Sequence, residues 1–177
     1  MSNIQDIIEL NSKELKCVLK NKKFINVFCP LETIRIKLEN IFIPFGVETY
    51  NNKYILNLEF EMKSNTHNNY ISTLSNLEKK IINKSYQTEV NIESCLVNKK
   101  FLTSLKPSIL GNILRTHISD TTKIYILKKD SSKMQLDKEN LKGTNVNIEL
   151  TLKGIWINDD TYGFYWNVGK TQIIKFN

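Results

Sequence analysis

The chain of 177 residues contains no alanine, 2 arginines, 3 prolines and 6 glycines. No Gly-x-x-x-x-Gly-Lys loop and no Gly-x-Gly-x-x-Gly turn occurs, which excludes the nucleotide-binding enzymes built on them. No serine sits in a Gly-x-Ser-x-Gly elbow. No apolar run approaches the roughly 18–20 residues that a membrane span needs, so no membrane partner is expected. The start, Met1-Ser2-Asn3-Ile4-Gln5-Asp6, lacks a basic stretch followed by an apolar one, and no secretory signal is expected. The cysteines Cys17, Cys29 and Cys95 are odd in number and unpatterned, which fits a reducing, intracellular compartment. His67 and His117 have no Cys or His at metal-ligand spacing, so structural or surface roles are expected for both, with no metal and no cofactor.

What is abundant is lysine (23), isoleucine (23) and asparagine (22). All three have AT-rich codons, so part of the lysine excess reflects an AT-rich genome rather than a polyanionic partner. The net charge of +7 is nevertheless uneven: residues 1–90 carry +2 and residues 91–177 carry +5. Between Lys99 and Lys129 seven basic residues (Lys99, Lys100, Lys106, Arg115, Lys123, Lys128, Lys129) face one acid, Asp120. Such a cluster is either a solvated face or an electrostatic footprint.

The hydrophobic pattern has mainly period 2. Ile34, Ile36 and Leu38 alternate with Arg35, Lys37 and Glu39, the signature of a half-buried strand over Thr33 to Asn40. Pro44 and Gly46 mark a bend, and Asn51-Asn52 a tight turn. Tyr54, Leu56, Leu58, Phe60 and Met62 form a second core-facing set. Tyr70, Ile71, Leu74, Leu77, Ile81 and Ile82 have helical spacing, which predicts a helix over 70–84 capped by Asn68 or Asn69. Asn91–Val97 is expected to be a short strand, Phe101 to Ser119 loop-like, and 123–128 a strand. Val146, Ile148, Leu150, Leu152 and Trp156, then Phe164, Trp166 and Val168, predict a terminal hairpin turning at Asn158-Asp159-Asp160, with both tryptophans in the core. The expected fold is mainly β: an antiparallel barrel of OB type with one α-helix and long loops. Residues 1–177 form one domain in this reading, with 1–23 a peripheral arm and 130–145 a flexible loop.

No catalytic constellation stands out. Glu61-Met62-Lys63 matches the Glu-x-Lys of a metal-dependent nuclease strand, but no Asp lies between Asp6 and Asp120, so Glu39 or Glu48 would have to hold the metal; Glu-x-Lys is common by chance, and no enzyme is expected. Asp159-Asp160 is ordinary turn chemistry. What remains is a β domain whose basic stretch carries aromatics. Single-stranded nucleic acid is bound by positive grooves with aromatic faces on which bases stack. Candidate binding residues are Arg35, Lys37, Tyr50, Lys53, Lys99, Lys100, Phe101, Arg115, Lys123, Tyr125 and Lys128.

Ile43-Pro44-Phe45-Gly46-Val47-Glu48, followed by Tyr50 and the strand Ile55-Leu56-Asn57-Leu58-Glu59, resembles the entry motif of single-stranded-DNA-binding proteins from nucleocytoplasmic large DNA viruses. Arg115-Thr116-His117-Ile118 resembles their central basic motif. Lys153-Gly154-Ile155-Trp156, Tyr162-Gly163-Phe164-Tyr165-Trp166 and Thr171-Gln172-Ile173-Ile174 resemble their closing hairpin. That family is similar in turn to the OB-fold single-stranded-DNA-binding proteins of short-tailed phages. The resemblance implies non-enzymatic binding of single-stranded DNA in viral replication, recombination or repair. It also implies replication proteins as further partners and a place at viral replication sites in the host cytoplasm or nucleus. The composition alone leaves a second reading: a β-barrel or jelly-roll structural or protein-interaction module with genome-driven lysines. A continuous basic groove with exposed aromatics separates the first from the second.

Overall fold

The computed structural model describes residues 15–28, 33–88, 90–119, 121–128, 132–168 and 173–176. The alternating segments become β3 (Arg35–Ile43) and β5 (Lys53–Glu61), and the terminal pattern becomes β11 (Thr144–Ile157) and β12 (Thr161–Val168). With β8 (Gly111–Ile118) they close a five-stranded barrel in the circuit β3-β5-β8-β12-β11-β3. The β8–β12 contact is parallel and the other four are antiparallel, which is the Greek-key closure of an OB barrel. Closure removes the free edges that an open sheet would present.

The inward residues follow from the pleat. Ile36 and Leu38, Leu56, Leu58 and Phe60, Leu114, Leu150 and Leu152, and Phe164, Trp166 and Val168 are all buried in one cluster. Asn40, at φ +56°, inserts a bulge that moves the buried set of β3 from even to odd positions, so that Ile41 and Ile43 also face inward. Asn145 Nδ2 donates to Asn40 Oδ1 at 3.0 Å and Asn40 N donates to Asn147 Oδ1 at 2.9 Å, which pins the bulge to β11. β4 (Val47–Tyr50) joins β5 through Asn51-Asn52, both at positive φ, as a two-residue hairpin of the primed type requires.

The helix is longer than its apolar stripe. α1 runs Asn65–Thr88, and its cap is Ser64, whose Oγ accepts from His67 N at 3.3 Å, not Asn68 or Asn69. Lys79, Lys80 and Lys84 therefore lie short of its last turn. Tyr70, Leu74, Leu77 and Ile81 bury against the barrel. Among the described residues no helix is long and apolar enough to cross a membrane.

Several expectations need correction. Residues 91–97 are not a strand: α2 (Val90–Leu96) buries Ile92 and Leu96, four apart on one helical face. Residues 101–119 are not a loop: they hold β6 (Lys100–Leu102), β7 (Leu105–Pro107) and β8. Thr116 hid β8, because a polar residue occupies an inward position, where its Oγ1 donates to Leu56 O at 2.9 Å. Within the expected arm, β1 (Lys16–Asn21) pairs with β2 (Phe24–Phe28), which pairs with β11, and Cys17 is fully buried. Residues 1–14 of the expected arm and Cys29 lie outside the described residues. In the described part of 130–145, β10 (Lys133–Leu136) pairs with β9 (Ile124–Leu127), and a 3-10 turn spans Lys138–Leu141. β13 (Ile173–Phe176) ties β9 to β11.

Candidate nucleic-acid interface

The side chains that point away from the core on β5, β8 and β12 converge on one face. Ile55 stands beside His117 and Asn57 beside Arg115 across β5–β8, while Asn167 stands beside His117 across β8–β12. Tyr165 lies opposite the buried Trp166 in the pleat of β12. The face carries a hollow of about 380 Å³ whose lining includes Tyr50, Lys53, Lys106, Arg115, Trp156 and Tyr165. A second hollow of about 320 Å³ adjoins it, sharing Lys53, His117 and Tyr165. Together they form a groove across the barrel strands, lined by the cations Lys53, Lys106 and Arg115 and by the rings of Tyr50, Tyr54, His117, Trp156 and Tyr165.

His117 stacks on Tyr165, with ring centroids 4.1 Å apart and planes 8° from parallel. Lys53 Nζ lies 5.5 Å from the Tyr165 centroid on a cation–π approach. Burial, with Lys53 and Arg115 nearby, lowers the His117 pKa to about 4 from its ordinary 6.5. At neutral pH the imidazole is therefore uncharged, and the cations that line the hollows are Lys53, Lys106 and Arg115. Burial also raises the Tyr165 pKa, so its phenol stays protonated. Because the unfolded state binds the His117 proton more tightly, this site's contribution is complete above pH 6.5 and is lost as pH falls toward 4. His117→Asn should flatten the stability profile in that window, measured as urea midpoints at successive pH values.

One wall of the groove is held from below. Glu78 of α1 is buried and accepts from Thr103 Oγ1 at 3.0 Å and Ser104 N at 3.1 Å. Burial raises its pKa, and those hydrogen bonds oppose the shift. Trp166 Nε1 donates to Ser104 Oγ at 3.2 Å, so the loop between β6 and β7 is tied to both helix and core.

Of the residues singled out in the sequence, Tyr50, Lys53 and Arg115 meet in this groove. The others lie elsewhere. Arg35 Nη1 is 3.6 Å from Glu149 Oε1, and Lys37 stands opposite Glu149 on the β3–β11 face. Lys99 and Lys100 adjoin the acidic β11–β12 turn: Lys99 Nζ donates to Asp159 O and Lys100 N to Asp160 O. Phe101 packs inward, its ring centroid 5.5 Å from Tyr162 and 5.8 Å from Phe164. Lys123 and Lys128 are exposed next to and beyond β9, and Tyr125 lies within it between β10 and β13.

Lys106, His117, Trp156 and Tyr165 were not among the candidate binding residues, although Lys106 lies in the basic cluster and the other three in the motifs that carry the resemblance. Trp156 is half-buried on the outer face, not in the core. A bulge between Leu152 and Gly154 shifts the register, placing Ile155 and Ile157 inward and Trp156 outward. Tyr165 was legible, since Phe164, Trp166 and Val168 already define the opposite face. Among the described residues no group of three His, Cys, Asp or Glu side chains is placed to hold a metal.

Fold and face together define an OB-type barrel with an open groove across its second, third and fifth strands. No protein-family model matches the chain, and no curated protein matches its sequence. Solved structures that share the fold include two of one phage protein. The C-terminally truncated single-stranded DNA-binding protein from bacteriophage Enc34 superposes with a TM-score of 0.50 at 11% identity, covering 94% of this chain and 96% of its own. The Enc34 protein in complex with ssDNA gives a TM-score of 0.50 at 11% identity, covering 92% and 95%.

Proposed function

We propose that this protein binds single-stranded DNA without chemical change, in the groove of β5, β8 and β12. The observation that carries the reading is the convergence of Lys53, Lys106 and Arg115 with Tyr50, Tyr165 and Trp156 on one open face. Cations at one side neutralise phosphates, and flat rings accept any base, which gives affinity without sequence preference. The shared fold with a phage protein solved in complex with ssDNA supports the same assignment. The wider role follows the viral resemblance: protection of single strands in DNA replication, recombination or repair at intracellular replication sites, together with replication proteins.

Trp156 supplies the test. It lines the groove, whereas Trp166 is 1% exposed in the core. Titration with oligothymidylate should quench tryptophan emission, and Trp156→Phe should abolish the quench while keeping most of the affinity. A quench that survives Trp156→Phe unchanged contradicts the placement. DNA incubated with the protein and Mg²⁺ or Mn²⁺ should remain intact, and metal-dependent cleavage abolished by Glu61→Gln would contradict a purely binding role.

A further inference from the structure

The groove is not where the aromatic surface ends. On β2 and β11, Phe24 stands opposite Trp156. Both rings lean over glycines of the neighbouring strand. A Cβ on Gly154 would lie 2.8 Å from Phe24 Cε1, and a Cβ on Gly163 would lie 2.7 Å from Trp156 Cζ2. A ring that close to the backbone rests on the sheet, and Phe24 and Trp156 both remain partly exposed. Phe24 meets Tyr165 edge to face at 6.1 Å, and Tyr165 stacks on His117. Ring contacts therefore link β8, β12 and β2, and Trp156 of β11 stands beside Phe24 at the end of that line.

Charge continues the same line. The hairpin of β1 and β2, residues 16–28, holds four lysines (Lys16, Lys20, Lys22, Lys23) and no acid. Lys22 and Lys23 form its exposed turn beside Phe24, and the turn is anchored where Ile157 N donates to Lys23 O at 2.9 Å. The geometry points to a second segment of the DNA path, running from Tyr165 over Phe24 and Trp156 to phosphate contacts at Lys22 and Lys23. This rests on the groove reading and extends it: the strand crosses the barrel face onto the N-terminal hairpin, and the site is longer than the groove alone.

The experiment compares oligothymidylates of about 4 and about 16 nucleotides, the range of site sizes for one such barrel, with salt titrations of the wild-type protein and three variants. Lys22→Gln/Lys23→Gln should lower the slope of log K against log salt for the longer oligomer by about 1.4, two phosphates at about 0.7 each. That corresponds to about 25-fold weaker binding at 0.1 M salt. The shorter oligomer, held by the groove, should change by less than about twofold on the same arithmetic. Phe24→Leu keeps an apolar cover over Gly154 but removes the π-face, and it should weaken the longer oligomer with the slope unchanged. Lys79→Gln/Lys80→Gln on α1 removes the same charge and should leave the slope at its wild-type value. A wild-type slope and affinity in Lys22→Gln/Lys23→Gln, with its circular dichroism unchanged, overturns the second segment while the groove stands. An equal loss in the α1 variant reduces the effect to net charge and also overturns it. Failure of the wild-type protein to bind either oligomer overturns both readings.

Discussion

Replacing Lys53, Lys106 and Arg115 together by alanine should weaken single-stranded DNA binding by about 100-fold at 0.1 M salt. Each side chain that neutralises one phosphate contributes about 0.7 to the salt slope on a single strand, so three lost contacts flatten it by about 2. All sequences should weaken alike, because phosphates carry no base identity. All three side chains reach the same hollow from β5, β7 and β8, so one DNA segment bound there would meet them together. Lys106 and Arg115 are exposed, as is Lys53, and the fold should tolerate their loss. Tyr165→Leu should separate the second component of affinity. Stacking releases no counterions, so it should cost about 1–3 kcal/mol with the slope unchanged. Wild-type slope in the folded triple variant would make these residues a solvated face.

The second large effect is on stability. Trp166→Ala should cost about 3–5 kcal/mol, the usual range for truncating a fully buried large aromatic. Trp166 is 1% exposed and sits on β12, the strand that closes the barrel between β8 and β11. Its loss leaves a cavity at that closure and deprives Ser104 Oγ of a donor. Total stabilities of single domains are about 5–15 kcal/mol, so the variant should lie near the edge of folding. A denaturant midpoint series should show this, and a loss below about 1 kcal/mol would contradict the burial assigned to Trp166. Because Ser104 also lines the groove, surviving folded protein should bind DNA less well.

The fold was legible where one face of an element is uniformly apolar. β3, β5 and the β11–β12 hairpin announce themselves by strict alternation, and α1 by its 3.6-residue stripe. Reading failed where local chemistry interrupts the period. The inward Thr116, satisfied by a backbone carbonyl, made the central strand β8 resemble a loop. The bulge before Gly154 sent Trp156 to the surface although its spacing in the sequence assigned it to the core. The site suffered from a different limit, since charge close in sequence need not be close in space. Arg115, Lys123 and Lys128 share one basic window, yet the chain leaves the barrel at Ile118. β9 then carries the later residues to the sheet with β10 and β13. Lys53 and Arg115, sixty-two positions apart, meet in the groove because β5 and β8 are hydrogen-bonded neighbours.

Binding through stacked bases is tested most directly by salt-titrated binding of the wild-type protein to single-stranded DNA and to duplex DNA of equal length. Stacking needs unpaired bases, so the single strand should bind more tightly, with quenching of Trp156 and a slope that falls in the triple variant. Equal affinity for duplex and single strand with no change in tryptophan emission, or no binding to either at low salt, would contradict it.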